Sequence, residues 1–501
     1  MGVGVSVGIS TGDAGAAYKQ PSFLKTLFLS ETAGNFSHYG MRNLLVLYMI
    51  SDLLFSDSRA YEVYASFVAV LYITPLLGGI LADRYFSLKS LLILGACFVI
   101  IGTVLLALIN QEFFFIGLGL VSIGYGLYRP SILRMLSRLY GDTNDPRRES
   151  GFTIFFTASN LGPLFASILC SWVAVTYGWH WGFSLAATSM IVSITILLFH
   201  QSEISILDQR VSGKSLSNEW MKIFMLGLPL ALVICVVSAY LVYRNDLFHG
   251  AVALVFFIIA VFIVRMLLTS GEKESRLRIL VILILLIYHM TFFSFFEQLS
   301  SSVTLFVDRV VIRNVYDFTM PTLWFQSLNP TFIVLLGPIF SSLWIFLRRR
   351  NHDLTVSAKF ITAFLMISAG FYTLSYGSIV ADCDGRVNMY WLVAGIFLHS
   401  VGEILIAPIA LSTITRLSPP HRHGFFIGLF YFSVAVGNYF AGFIAKWTAI
   451  DREPGALVKA MDCVNICQGV FLKIGFYAFL AAISILFFYP FINERLIRTK
   501  G

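Results

Sequence analysis

Residues 91–110 read LLILGACFVIIGTVLLALIN, twenty residues without a formal charge. A helix rises ~1.5 Å per residue, so the stretch is about 30 Å long, the thickness of a bilayer's hydrocarbon core. Residues 474–493, IGFYAFLAAISILFFYPFIN, repeat the pattern, and residues 279–296, ILVILILLIYHMTFFSFF, supply eighteen more. Lipid selects such runs, because a spanning segment must satisfy all its backbone polar groups internally. Working outward by hydropathy, the chain divides into fourteen segments, at approximately 23–51, 60–82, 87–110, 112–139, 149–176, 180–199, 220–243, 247–269, 277–304, 321–347, 355–381, 388–416, 422–449 and 466–491. The implied fold class is an all-α integral membrane protein.

Composition points the same way. Of 501 residues 57% are hydrophobic and 12% charged, half the charged share of a soluble domain. A cytosolic multi-domain enzyme, a disordered chain and a disulfide scaffold are thereby excluded. The net charge of +8 is not a nucleic-acid signal. With the N-terminus inside, eighteen loop and tail Lys and Arg fall inside and seven outside, which places both termini in the cytoplasm. Compact loops suggest a bacterial inner (plasma) membrane. Residues 1–18 have no basic start followed by an apolar core, so a flexible tail is expected there rather than a secretory signal. A bridge among Cys383, Cys463 and Cys467, all near segment ends, is open.

The segments group as six, two and six. The expected organisation is an N-terminal tail (1–20), a six-helix bundle (21–200), a linker with an inserted two-helix hairpin (201–275), a second six-helix bundle (276–493) and a C-terminal tail (494–501). Two such halves with a path between them is a recurrent transporter plan. Numbering the halves' segments 1–12 and leaving the hairpin aside, five of the charges within spans stand out: Glu31 and Arg42 in segment 1, Arg129 in 4, Glu297 in 7 and Glu403 in 10. Each needs a partner or a water-filled cavity. Glu31, Asn35, Tyr39 and Arg42 are spaced 4, 4 and 3 and so share one helical face. His289, eight residues before Glu297, is either a proton relay or a packing histidine, and His38 stands in the same position. His421 and His423 only flank Arg422, and no metal or cofactor constellation stands out.

These residues are similar to the proton-dependent oligopeptide transporter family, a branch of the major facilitator superfamily. ETAGNFSHYGMRNLLVLYM (31–49) resembles its ExxERFxYYG signature, and SFVAVLYITPLLGGILADRYF (66–86) its Tyr-x-Thr-Pro and Gly-Gly-x-x-Ala-Asp pattern. GLYRPSI (126–132), GFTIFFTASNLGPLFA (151–166), FFEQLSSSVTLFVDR (295–309), WFQSLNPTFIVLLGP (324–338), VGEILIAPIALSTITRLSP (401–419) and VAVGNYFAG (434–442) extend the resemblance through both halves. The inserted hairpin is like that of the family's prokaryotic members.

The resemblance implies a major-facilitator fold and a secondary active transporter that imports di- and tripeptides by alternating access with protons. It implies substrate contacts at Tyr39, Tyr72, Arg129, Asn160, Glu297, Asn329 and Glu403. Glu31 and Glu297 match proton-coupling groups. Arg42–Glu297 and Arg129–Glu403 match an outer and an inner gate. Gln326 is a further expected amide contact, with Phe295, Trp324 and Phe430 as apolar walls. The expected partners are peptide, protons and the lipid bilayer, with no nucleic acid, no cofactor and a functional monomer.

The departures matter. The second Glu of the signature is Gly34, its Arg is Asn35, its first Tyr is His38, and the segment 2 His of animal members corresponds to Ala65. A proton-independent facilitator or exchanger of peptides or another zwitterionic or anionic solute is therefore the alternative. A sensor on a transporter fold lacks a large soluble output segment, and a membrane enzyme lacks a catalytic cluster.

Overall fold

The computed structural model describes residues 20–84, 86–108, 111–140, 147–209, 225, 227–269, 273–350, 354–418, 423–450 and 459–498. Most of the expected N-terminal tail, part of the linker ahead of the hairpin, and His421 with Arg422 lie outside the described residues. So do Lys19, Arg210, Lys214, Arg452 and Lys500 of the charge count.

The N-terminal part runs α1 (Phe23–Ser51), α2 (Asp57–Arg84), α3 (Leu88–Ala107), α4 (Gln111–Leu139), α5 (Arg148–Tyr177), α6 (Trp179–Phe199) and a short α7 (Gln201–Gln209). The inserted pair is α8 (Leu228–Tyr243) and α9 (Asn245–Thr269). The C-terminal part runs α10 (Lys273–Phe296), α11 (Ser302–Val310), α12 (Leu328–Arg349), α13 (Val356–Ile379), α14 (Met389–Leu417), α15 (His423–Lys446) and α16 (Ala460–Arg498). Among the described residues, eleven segments are long and apolar enough to cross a membrane. α1 and α2 are 29 and 28 residues long but more polar, and α8 is a shorter apolar helix. The set is consistent with fourteen crossings.

Local chemistry moved some boundaries. The helix expected over 277–304 ends at Phe296, passes through a 3₁₀ turn (Glu297–Ser300) and restarts as α11. Ser301 leaves the helical region (φ −126°, ψ −96°), and its Oγ donates to the Glu297 carbonyl (3.2 Å) while Thr304 Oγ1 donates to that of Leu299 (2.9 Å). Hydroxyls that take main-chain carbonyls compete with the helical ladder, and the three-serine run supplies them. The next span opens with a second 3₁₀ turn (Thr322–Ser327). Small strands join the ends: β1 (Val311–Ile312) pairs in parallel with β4 (Val387–Asn388), and β2 (Asn314–Val315) pairs antiparallel with β3 (Phe318–Thr319). No such strands were expected.

Between helices in lipid the apolar effect offers little preference, so close packing must supply the attraction. α3 and α4 meet through two glycine pairs: a Cβ on Gly95 would lie 2.7 Å from the Gly124 carbonyl oxygen, and one on Gly102 would lie 2.7 Å from that of Gly117. α2 and α4 approach still closer, because a Cβ on Gly78 would overlap the Gly126 carbonyl. That contact fixes α4 one turn before Arg129. The buried apolar residues form two cores, one drawn mostly from α1–α8 and one mostly from α9–α16. Leu254, Phe257, Val261 and Leu268 on α9 are exposed and read as lipid-facing.

The hairpin is anchored rather than loose. Arg59 donates to the Tyr243 carbonyl (2.6 Å), and a Cβ on Gly119 of α4 would lie 2.6 Å from the Cys235 carbonyl of α8. α9 meets α15 through Phe248–Tyr439, Phe256–Phe432 and Phe262–Phe425 ring contacts and a His249–Tyr439 hydrogen bond. All six cysteines are free thiols. Cys383 is exposed, and Cys463 and Cys467, one turn apart on α16, hold their sulfurs 3.7 Å from each other.

Candidate functional site

A cavity of about 140 Å³ lies between the two cores, room for roughly ten waters. Seven expected site residues line it: Tyr39 and Arg42 from α1, Tyr72 from α2, Asn160 from α5, Glu297 from the 3₁₀ turn, Asn329 from α12 and Glu403 from α14. Arg129 and Glu31 are not among its lining residues. α1, α2, α5, α12 and α14 each contribute a polar side chain where an apolar pattern is interrupted, and these interruptions converge on the cavity.

The end of the bundle holding the C-terminus of α1 (the upper end) is closed by ionic contacts. Arg42 Nη2 pairs with Glu297 Oε2, both buried. Arg42 Nε donates to the Tyr64 hydroxyl (2.8 Å), and Nη2 also reaches Asn438 Oδ1 of α15 (3.5 Å). One layer above, Asp57 at the start of α2 accepts two hydrogen bonds from Arg309 of α11 (2.6 and 2.7 Å) and one from the Ile450 amide (3.0 Å). Lys446 pairs with Glu62, Tyr61 meets Thr448 (3.5 Å), and Trp324 Nε1 donates to the Ile168 carbonyl (3.0 Å).

The expected Arg129–Glu403 pair is not formed. Glu403 accepts from Asn329 Nδ2 (3.0 Å), which also donates to Ser400 (3.0 Å). Arg129 Nη2 donates to Asn35 Oδ1 (3.0 Å). Neither charge has an ionic partner at salt-bridge distance among the described residues. Asn35 is a two-sided adaptor, because its Nδ2 donates to Glu31 Oε1 (2.6 Å), which also accepts from Ser159 (2.9 Å). The stripe on α1 therefore splits: its upper half faces the cavity, and its lower half faces α4 and α5. The reason is that Arg129 and Ser159 offer Glu31 and Asn35 partners within the N-terminal bundle.

Of the two alternatives for the buried histidines, the packing one fits their surroundings. His289 is fully buried between Phe293 and Phe430, with Nδ1 on Ser433 Oγ (2.8 Å). It packs α10 on α15 and does not line the cavity. His38 is buried edge-on to Tyr39 and Tyr125. Phe295 and Phe430 belong to the C-terminal core, and Trp324 bridges to α5. The phenylalanine walls are instead Phe293, Phe296 and Phe325, one or two residues from Phe295 and Trp324 and so on a different face of their elements. Gln326 lines the cavity with its amide on Thr304 Oγ1 (2.9 Å). Sequence reasoning missed Asn43, Ser167, Thr304, Thr322, Ser159 and the Asp57–Arg309 contact. Arg309 closes the FEQ-to-DR run, but nothing local marks Asp57 as its partner. Among the described residues no group of three or more His, Cys, Asp or Glu is placed to hold a metal ion.

The sequence model of the POT family (PTR2) matches residues 89–456. A peptide transporter of Yersinia enterocolitica, YePEPT, is 30% identical over 484 residues, covering 91% of this chain and 94% of its own. The dipeptide and tripeptide permease B of Salmonella typhimurium is 26% identical over 485 residues, covering 96% and 97%. The crystal structure of tetrameric PepTSo2 superposes with a TM-score of 0.82 at 25% identity, over 94% of this chain and 98% of that one.

Proposed function

Because the chain belongs to the POT family, we propose that it is a multi-pass inner-membrane transporter that imports di- and tripeptides by alternating access, coupled to protons. One observation carries the reading: the C-terminal bundle presents an acid to the cavity, Glu403, and the N-terminal bundle holds a cation, Arg129, outside the cavity lining, each hydrogen-bonded to a side-chain amide and neither ion-paired among the described residues. Isolated charges inside a bundle are costly, and a peptide zwitterion supplies the complement of both. Glu403 and Asn329 take the amino end. Arg129 swings from Asn35 to take the carboxylate, its planar fork allowing a two-point grip. Tyr39, Tyr72, Asn160 and Gln326 meet the peptide backbone, and Phe293, Phe296 and Phe325 accommodate side chains.

The closed upper end is the outer face in this reading, with both termini cytoplasmic. Residues 21–200 and 276–493 are the rocking halves, 201–275 carries the hairpin, and the protein works as a monomer. Arg42–Glu297 is the outer gate, held here, and Arg129–Glu403 is the inner gate, which forms when the molecule turns outward. Glu297 carries the proton that releases Arg42, and Glu31 carries the one that frees Asn35 and hence Arg129. A proton moving down one pH unit supplies about 1.4 kcal/mol, and a charge moving down 100 mV about 2.3 kcal/mol. Together they support several-hundred-fold accumulation at about 1.4 kcal/mol per decade.

A second reading, exchange without obligatory protons, has its own observation. A Cβ on Gly34 would lie 3.3 Å from the Tyr128 ring and hydroxyl, and Tyr128 is locked to Ser30 and Ser193 (3.1 and 2.7 Å). The space for a second signature acid is filled. Uptake by purified protein in liposomes, with a dipeptide panel and with or without a proton gradient, decides between them. Accumulation above equilibrium only with the gradient supports coupling, and equilibration regardless of the gradient supports exchange. Full uptake by Arg129→Ala would contradict the site.

A further inference from the structure

The cavity does not stop at the Arg42–Glu297 pair. Thr304 and Thr322 line it as well, and both belong to the upper rim of the C-terminal bundle. Thr322, buried, donates its hydroxyl to Asp308 Oδ1 (2.7 Å). Asp308 is exposed on α11, beside the Arg309 that closes the upper end. A surface carboxylate is therefore joined through one hydroxyl to a polar chamber whose floor holds Glu297. We propose that Asp308 and Thr322 form the outer inlet of a proton path to Glu297, open while the outer gate stays shut to peptide. The proposal rests on the proton-coupled reading above.

The step balances without a further reactant. A proton from bulk water binds the Asp308 carboxylate. The Asp308 O–H then donates to Thr322 Oγ, and the Thr322 hydroxyl proton passes to water in the cavity. A chain of waters delivers a proton to Glu297 Oε, which becomes a neutral carboxyl and loses its ionic hold on Arg42. The cavity is roomy and polar enough for such water. The charged and titratable groups around the path are few. Asp308 faces Arg313 at 3.9 Å. Glu297 faces Arg42 and Tyr39 of α1, Tyr64 and Tyr72 of α2, and Glu403 of α14, with Asn438 of α15 as a neutral neighbour. Waters and hydroxyls can pass a proton where a peptide cannot fit, so the same closed surface can exclude one and admit the other.

Asp308→Asn and Thr322→Val, in full-length protein reconstituted in liposomes, test the path. Two rates are read: initial dipeptide uptake driven by a proton gradient across a series of external pH values, and counterflow of labelled against unlabelled dipeptide at equal pH. The first needs net proton movement and the second does not. The gradient-driven rate is expected to fall about tenfold in either variant, less than the ~100-fold of a strictly positioned proton-transfer group, because water offers a slower bypass. The pH at half-maximal rate moves, and counterflow keeps its native rate in Asp308→Asn, whose side chain lies outside the cavity lining. Native values for both rates would overturn the inlet. A parallel fall of both rates would also overturn it, assigning the two residues to gating or folding. A native protein that shows no gradient-driven accumulation would overturn the proton-coupled reading and the inlet together, whereas native accumulation with unaltered variants overturns the inlet alone.

Discussion

Replacing Asp57 by Ala should open the upper face. Asp57 ties the N-terminal bundle to two elements of the other bundle through the Arg309 fork and the Ile450 amide. Its side chain is 4% exposed and that of Arg309 14%, so truncation strands a largely buried cation. Removing one member of a buried pair costs about 3–5 kcal/mol. The partial exposure of Arg309 favours the low end, about 3 kcal/mol. The cost falls on the upper-closed state alone, because separating the bundles breaks the contact in any case. At ~1.4 kcal/mol per decade the equilibrium moves about a hundredfold toward upper-open, enough to raise a state populated at ~1% to about half. Spin labels at Ser51 and Lys459, both exposed near that end, should report a second, longer distance in Asp57→Ala. Adding Arg309→Met removes the stranded charge and should return part of the population to the short distance. A folded Asp57→Ala with the native distance distribution would refute the reasoning, and would mean that Arg42–Glu297 and Lys446–Glu62 hold the face unaided.

Three further outcomes follow from the same geometry. Arg129→Lys keeps the charge but loses the two-point grip, so its dipeptide affinity should fall by about 1.5–3 kcal/mol, roughly ten- to hundredfold, while Arg129→Ala leaves no measurable uptake in the liposome assay. Glu403→Gln should erase the preference for a free amino end, read as equal competition by a dipeptide and its N-acetyl form against labelled substrate. Gly34→Glu should not rebuild the missing acid. Overpacking against Tyr128 costs about 1–3 kcal/mol, visible as a lower unfolding temperature in detergent, and a variant as stable as native with steeper pH dependence would contradict the crowding at that position.

Lipid is a stern reader of sequence, and this explains what could be read without coordinates. The uncharged runs at 91–110 and 474–493 permit only spanning helices, so the all-helical membrane class and most of the approximate spans are legible in the chain. The ionic residues were legible for the same reason: Glu31, Arg42, Arg129, Glu297 and Glu403 stand out against an apolar background that makes each of them costly. Partnership was not legible. Whether Arg129 meets Glu403 or Asn35 depends on the state of a junction between bundles, and one sequence serves every state. Asp57 and Arg309 are 252 residues apart, and only the approach of the two bundles makes them a pair. Phe293, Phe296 and Phe325 line the cavity in place of Phe295 and Trp324, because the rotation of an element about its axis is set by the neighbours it packs on, which hydropathy does not report. Hydropathy thus decided which segments enter the membrane, since the cost of a bare polar group in lipid is local to each helix. Contact geometry decided which charges are ion-paired and which are met by amides alone, since that balance is struck between helices.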